Sequence, residues 1–200
     1  MTLKELPILA IQASILLTVF GFGLGAGWND VMYLVRRPSL LGRSLVAMFL
    51  VMPMVAVAIV RLFDLRPSVE IVLIALAISP LPPLLPKKQG KAGGHAAFGL
   101  GLMAIVGLLS IAIVPVMARL MGAYFSLPFA MPASAIAAIV LKMVALPLAA
   151  GLIVHAALPA LAGRIAKPAG QLASVLLGIG VLVILVALLP AALTLVGNGT

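Results

Sequence analysis

Residues 79–95 read SPLPPLLPKKQGKAGGH, which places four prolines, three lysines and three glycines between two strongly apolar runs. The run before it, residues 69–78, is only about half the length that a helix needs to cross a bilayer. Pro80, Pro82 and Pro83 carry no N–H with which to continue that helix. The reading is a helix that stops at membrane depth. Irregular backbone is tolerated at that depth where it is buried in protein or lines a water-filled cavity, and transporters with broken helices bind their cargo at such places. Ser79, Pro80, Pro82, Pro83, Lys87 and Lys88 are therefore the candidate substrate-binding residues.

Working outward, the 200 residues are 64% hydrophobic and 8% charged, with a mean hydropathy of +1.34. A soluble domain would carry roughly a quarter of its residues charged. The chain reads as an all-α, polytopic helical membrane protein forming a single transmembrane domain over 1–200. Its net charge of +9 comes from 13 basic residues against 4 acidic ones. In so apolar a chain that excess reflects topology, and no nucleic-acid partner is expected, because that would need a folded basic face. With no cysteine, disulfides, thiolate metal sites and thiol catalysis drop out. The first apolar run is about twenty residues long and has no A-x-A-like cleavage site, so it reads as a retained span rather than a signal peptide.

Six spans follow, at about 6–27, 41–61, 69–92 (broken at 79–86), 95–118, 133–156 and 170–196. Each except the broken one gives about twenty or more mainly apolar residues. Pro7, Pro67 and Pro132 sit at or just before helix starts, where a missing N–H costs nothing. Pro53, Pro115, Pro147 and Pro190 fall inside spans and should kink them. In the first span Gly21 and Gly25, and Gly23 and Gly27, make small-x-x-x-small pairs that allow a close neighbour. Trp28 and Tyr33 read as interfacial anchors.

Basic residues in short loops set the orientation. With the amino terminus outside, Arg36, Arg37, Arg43, Lys87, Lys88, Lys91, Arg164 and Lys167 lie inside, against Lys4, Arg61, Arg66 and Arg119 outside. The expected location is a bacterial inner membrane, with the lipid bilayer itself as one partner.

Several segments resemble the bile acid:sodium symporter family: FGFGLGAG at 20–27, Arg37-Pro38, Met52-Pro53, the run 65–67, and KMVALPLAAGLIVH at 142–155. The resemblance runs from about residue 16 to 196. It implies a core of broken helices crossing near mid-membrane, a flanking panel of helices, and sodium-coupled uptake of small organic anions. The broken span 69–92 lies where the first crossing helix of that core is expected.

The family's crossing segment typically reads PGGTASN and continues into a T-x-L-A-x-G run, supplying Ser and Asn oxygens to a sodium ion. Here the corresponding stretch is PLPPLLPKKQGKAGG, without Ser, Thr or Asn after Ser79. Counting back from Pro115, the usual hydroxyl-bearing positions of the next helix fall on Gly99 and Met103, and a Gln common in the second helix is Ala47. A hard cation needs oxygen ligands, which these side chains do not offer. No cofactor is expected, and coupling at this site is predicted to be to protons or absent rather than to sodium. The family's core also has a second, inverted half, which would begin beyond Thr200. The expectation is therefore either a piece of a longer protein or a half-transporter that pairs with a second half or with its own copy.

Lys87, Lys88 and Lys91 have two readings: ammonium groups that attract an anionic substrate or replace the cation, or side chains that snorkel to the inner interface. His95 is a candidate proton relay, its alternative role being a contact to backbone or water at a helix start. His155 is a weaker candidate of the same kind. Lys142 is an intramembrane charge, read either as functional or as facing a cavity or a backbone carbonyl. Catalysis finds no support: there is no His-Glu-x-x-His, no G-x-S-x-G and no phosphate loop, and Asp64 and Glu70 lie in an outer loop. No metal site and no enzyme are expected. The function expected is transport of a small organic anion by alternating access; the alternative is a non-transporting membrane partner or scaffold derived from a transporter half.

Overall fold

The computed structural model describes residues 6–63, 65–79, 86, 93–125 and 132–197. Among them the chain is helical throughout, without strands. The helices are α1 (Leu6–Gly25), a single turn α2 (Trp28–Val31), α3 (Pro38–Leu62), α4 (Pro67–Ile78), α5 (Ala96–Phe125), α6 (Ala133–Ala157) and α7 (Pro159–Gly197). Five of these, α1, α3, α5, α6 and α7, are long and apolar enough to cross a membrane, while α4 has 12 residues. The polytopic helical membrane fold read from the sequence is the fold observed.

Proline punctuates the helices as its chemistry requires. Pro38, Pro67 and Pro159 open α3, α4 and α7 at positions whose N–H would have no partner within the helix. The last helix thus begins eleven residues before the expected residue 170 and runs through Arg164, Lys167 and Pro168. Pro115 lies buried within the continuous α5.

Pro53 and Pro147 behave differently. Each follows a π-helical turn, Ala47–Val51 in α3 and Leu141–Ala145 in α6, after which α-helix resumes. A proline ring inside a helix clashes with the carbonyl four residues back, here Phe49 and Met143, and both lie within the widened turns. The Met52 N–H reaches the Ala47 carbonyl, five residues back, so the ladder stays bonded as it widens.

The helices gather into two compact units. The first joins residues 1–27 to 146–200, and in it α1 packs along α7 and the second part of α6. Val19, Leu24 and Ala173 are fully enclosed there. Ser14 is buried with them, and its hydroxyl donates to the Ala173 carbonyl at 2.7 Å, as a buried polar group should. α1 meets α6 at two glycines. A Cβ on Gly23 would stand 2.5 Å from the Leu148 carbonyl oxygen and 2.9 Å from the Gly151 Cα, so only glycine allows the backbones this close.

The second unit is residues 28–145. Leu34, Leu102 and Val106 form its centre, with Met48, Phe49 and Phe98 packed around them, which fixes α3 and α5 together. Val114 of α5 meets Ile136 and Val140 of α6 in a second cluster. Ser110 is buried on α5 and donates back to the Gly107 carbonyl at 2.6 Å, so its hydroxyl is already engaged. α4 packs on α3 and on α5.

Candidate functional site

The site begins where α4 stops. Ser79 follows Ile78 with φ −70° and ψ 140°, the extended conformation imposed on a residue before proline. Its N–H still reaches the Leu76 carbonyl at 3.3 Å, closing the last turn. A helix of 12 residues rises only about 18 Å against a hydrocarbon core of about 30 Å. Pro80, Pro82, Pro83, Lys87 and Lys88 lie outside the described residues.

On the far side of that stretch, Gly93 takes φ +79°, a left-handed conformation that glycine adopts without steric cost. His95 then precedes α5, and its carbonyl accepts the Phe98 N–H at 3.0 Å. The His95 ring is exposed and lies 6.3 Å from that of Tyr33. The Arg37 guanidinium sits 4.1 Å from the Tyr33 ring centre and also donates to the Tyr33 hydroxyl. Tyr33, expected only as an interfacial anchor, thus joins a basic residue and a titratable one at the start of α5. That link could not be read from Tyr33 alone, although its i, i+4 spacing to Arg37 was visible.

Gly99 and Met103, the two positions at which the resemblance implies hydroxyl groups, are both buried on α5, Met103 at 2% exposure. Neither has a side-chain oxygen. Ala47 lies exposed at the start of the first π-helical turn. Among the described residues no group of three His, Asp or Glu side chains could hold a metal ion.

Lys142 lies in the second π-helical turn, well inside α6, and its side chain is exposed. No described contact joins it to His95. His155 takes a structural place: its Nδ1 lies 2.8 Å from the Leu24 carbonyl oxygen within the first unit.

Sequence reasoning missed one cluster. Arg61, at the end of α3, lies over the rings of Tyr124 and Phe125 at the end of α5, at 4.7 Å and 5.4 Å from their centres. Two adjacent aromatics at the end of an apolar helix were the signal available.

Five helices long and apolar enough to cross a membrane, with a sixth apolar helix of 12 residues, define a polytopic helical membrane protein. A family model described as the sodium bile acid symporter family matches residues 13–194. The chain belongs to that family, which is a family of transporters. Comparison with curated proteins gives no match.

Proposed function

We propose that the protein is a secondary transporter that moves a small organic anion by alternating access, with the cargo bound at residues 79–88. The observation that carries this reading is the end of α4 at Ser79 after only 12 residues, about half the length a bilayer crossing needs, in a chain of a symporter family. Lys87 and Lys88 follow this break in sequence and supply the positive charge for an anion. Rocking of one helix group against another would expose the cargo to each side in turn. The amino terminus lies outside, in a bacterial inner membrane, with most loop lysines and arginines inside.

Sodium is not the coupling ion at this stretch in our reading. Gly99 and Met103, the positions at which the resemblance implies hydroxyl groups, contribute no side-chain oxygen to a hard cation. Protons are the alternative driving ion, and His95, exposed just before α5, is the candidate group to carry them. A ligand that binds only the folded protein raises its thermal stability. Melting temperatures in sodium and potassium chloride of equal ionic strength should therefore coincide; a sodium-specific rise would restore the sodium-coupled reading. Replacing Lys87 and Lys88 by Gln should lower anion uptake into vesicles, and unchanged uptake would remove both from the mechanism.

A further inference from the structure

A cavity of about 560 Å³ opens at the other end of α4, lined by Arg61, Phe63, Glu70, Tyr124 and Phe125 among others. Glu70 lies in the first turn of α4 and Ser79 at its end, nine residues or about 13 Å of helix apart. This cavity is therefore separate from the proposed cargo site. The Tyr124 and Phe125 rings meet edge to face, 4.9 Å apart at 84°, and the Arg61 guanidinium rests against both. A guanidinium held by its face keeps its N–H edges for an oxyanion, with a geometry suited to phosphate. Glu70 adds a carboxylate on the same wall, and among the described residues no ion pair joins it to Arg61.

The geometry points to a site for a zwitterionic phospholipid headgroup, its phosphate on Arg61 and its primary ammonium on Glu70. A simple anion would meet the Glu70 carboxylate, and a simple cation the Arg61 guanidinium; a ligand carrying both charges satisfies both. A soluble zwitterion shares that chemistry, but the setting selects a lipid. The cavity lies at the ends of apolar helices, where headgroups lie, and its lip is Leu62 and Phe63, 79% and 61% exposed. Those side chains offer acyl chains an apolar continuation. An ammonium that bears hydrogens can donate to Glu70, whereas a quaternary choline cannot, so ethanolamine headgroups are preferred over choline ones.

The test uses the purified full chain in a neutral detergent, titrated with phosphatidylethanolamine, phosphatidylcholine or phosphatidylglycerol of identical acyl chains. Bound lipid is counted by native mass spectrometry and melting is followed in parallel. Phosphatidylethanolamine should bind most tightly and raise the melting temperature most. Glu70→Gln should reduce its effect to that of the other two lipids, and Arg61→Gln should abolish it. Equal binding of phosphatidylglycerol, or an ethanolamine preference that survives Glu70→Gln, would overturn the proposal. So would the same shift from soluble glycerophosphoethanolamine, which would make the ligand a free zwitterion. Should Arg61→Gln not fold, Glu70→Gln decides the matter alone, because it changes no volume and leaves the stacked guanidinium in place.

Discussion

His155 and Leu24, 131 residues apart in sequence, meet through the imidazole Nδ1 and the main-chain carbonyl oxygen at 2.8 Å. Leu24 lies in the last turn of α1, where carbonyls have no partner within the helix, so the imidazole caps one helix from the flank of another. This requires the proton on Nδ1. His155→Ala should lower stability by about 1 kcal/mol, the usual net worth of one hydrogen bond. His155→Gln, whose amide can also donate, should recover part of that loss. Thermal melts of the three proteins in one detergent decide it; an unshifted alanine variant would make the contact incidental.

The crossing of Gly23 on α1 and Gly151 on α6 predicts a sharp asymmetry between glycines at the crossing and those away from it. A Cβ on Gly151 would stand 2.8 Å from the Gly23 Cα, and backbone cannot swing aside as a side-chain tip does. Gly151→Ala should therefore destabilise by about 1–3 kcal/mol, in the range of overpacked cores. Gly25 has nothing within 4 Å of its would-be Cβ, and Gly25→Ala should change stability by less than about 0.5 kcal/mol. Equal melting of the two variants would show that the helices do not cross where these glycines place them.

These examples mark what the sequence could and could not convey. Lipid is the solvent for most of this chain, so length and hydropathy alone delimit α1, α3 and α6 closely. The small-residue spacing in α1 announced a close neighbour without saying that Gly151 supplies it. α7 was harder: Arg164, Lys167 and Pro168 end the apolar run but do not end the helix, because a helix emerging into water needs no hydrophobic side chains to continue. The π-helical turns before Pro53 and Pro147 arise from ring sterics and leave no trace in periodicity. At the proposed cargo site, the end of α4 before Ser79 was legible because proline acts locally. The Arg61 cluster was not, since it depends on which helix ends fold side by side.

Lys142 makes a third expectation. A lysine near the centre of a membrane helix costs about 2.5–3.5 kcal/mol on insertion scales, and no described residue pairs with this one. Lys142→Met should raise the yield of membrane-inserted protein. If the charge serves the cargo path, the same variant loses uptake while Lys142→Arg retains it. Normal uptake by the methionine variant would confine Lys142 to a passive place.

The absence of cysteine makes orientation directly measurable, since any introduced thiol is unique. With the amino terminus outside, Phe63→Cys should react with a membrane-impermeant maleimide in intact cells. Asn29→Cys should react only after the membrane is opened. The reverse pattern would invert the proposed topology and place the Arg61 cavity at the inner leaflet.

One unit interrupts the other in sequence: residues 28–145 form a continuous segment, whereas α1 packs against α7 and the second part of α6, within residues 146–200. A ribosome working at 5–20 residues per second needs roughly 6–24 s to synthesise that inserted segment. During this interval α1 has already entered the bilayer, with Ser14 and the glycine face still waiting for Ala173 and Gly151. α1 is thus completed only after residues 146–200 are made, and biogenesis depends on what shelters it until they arrive.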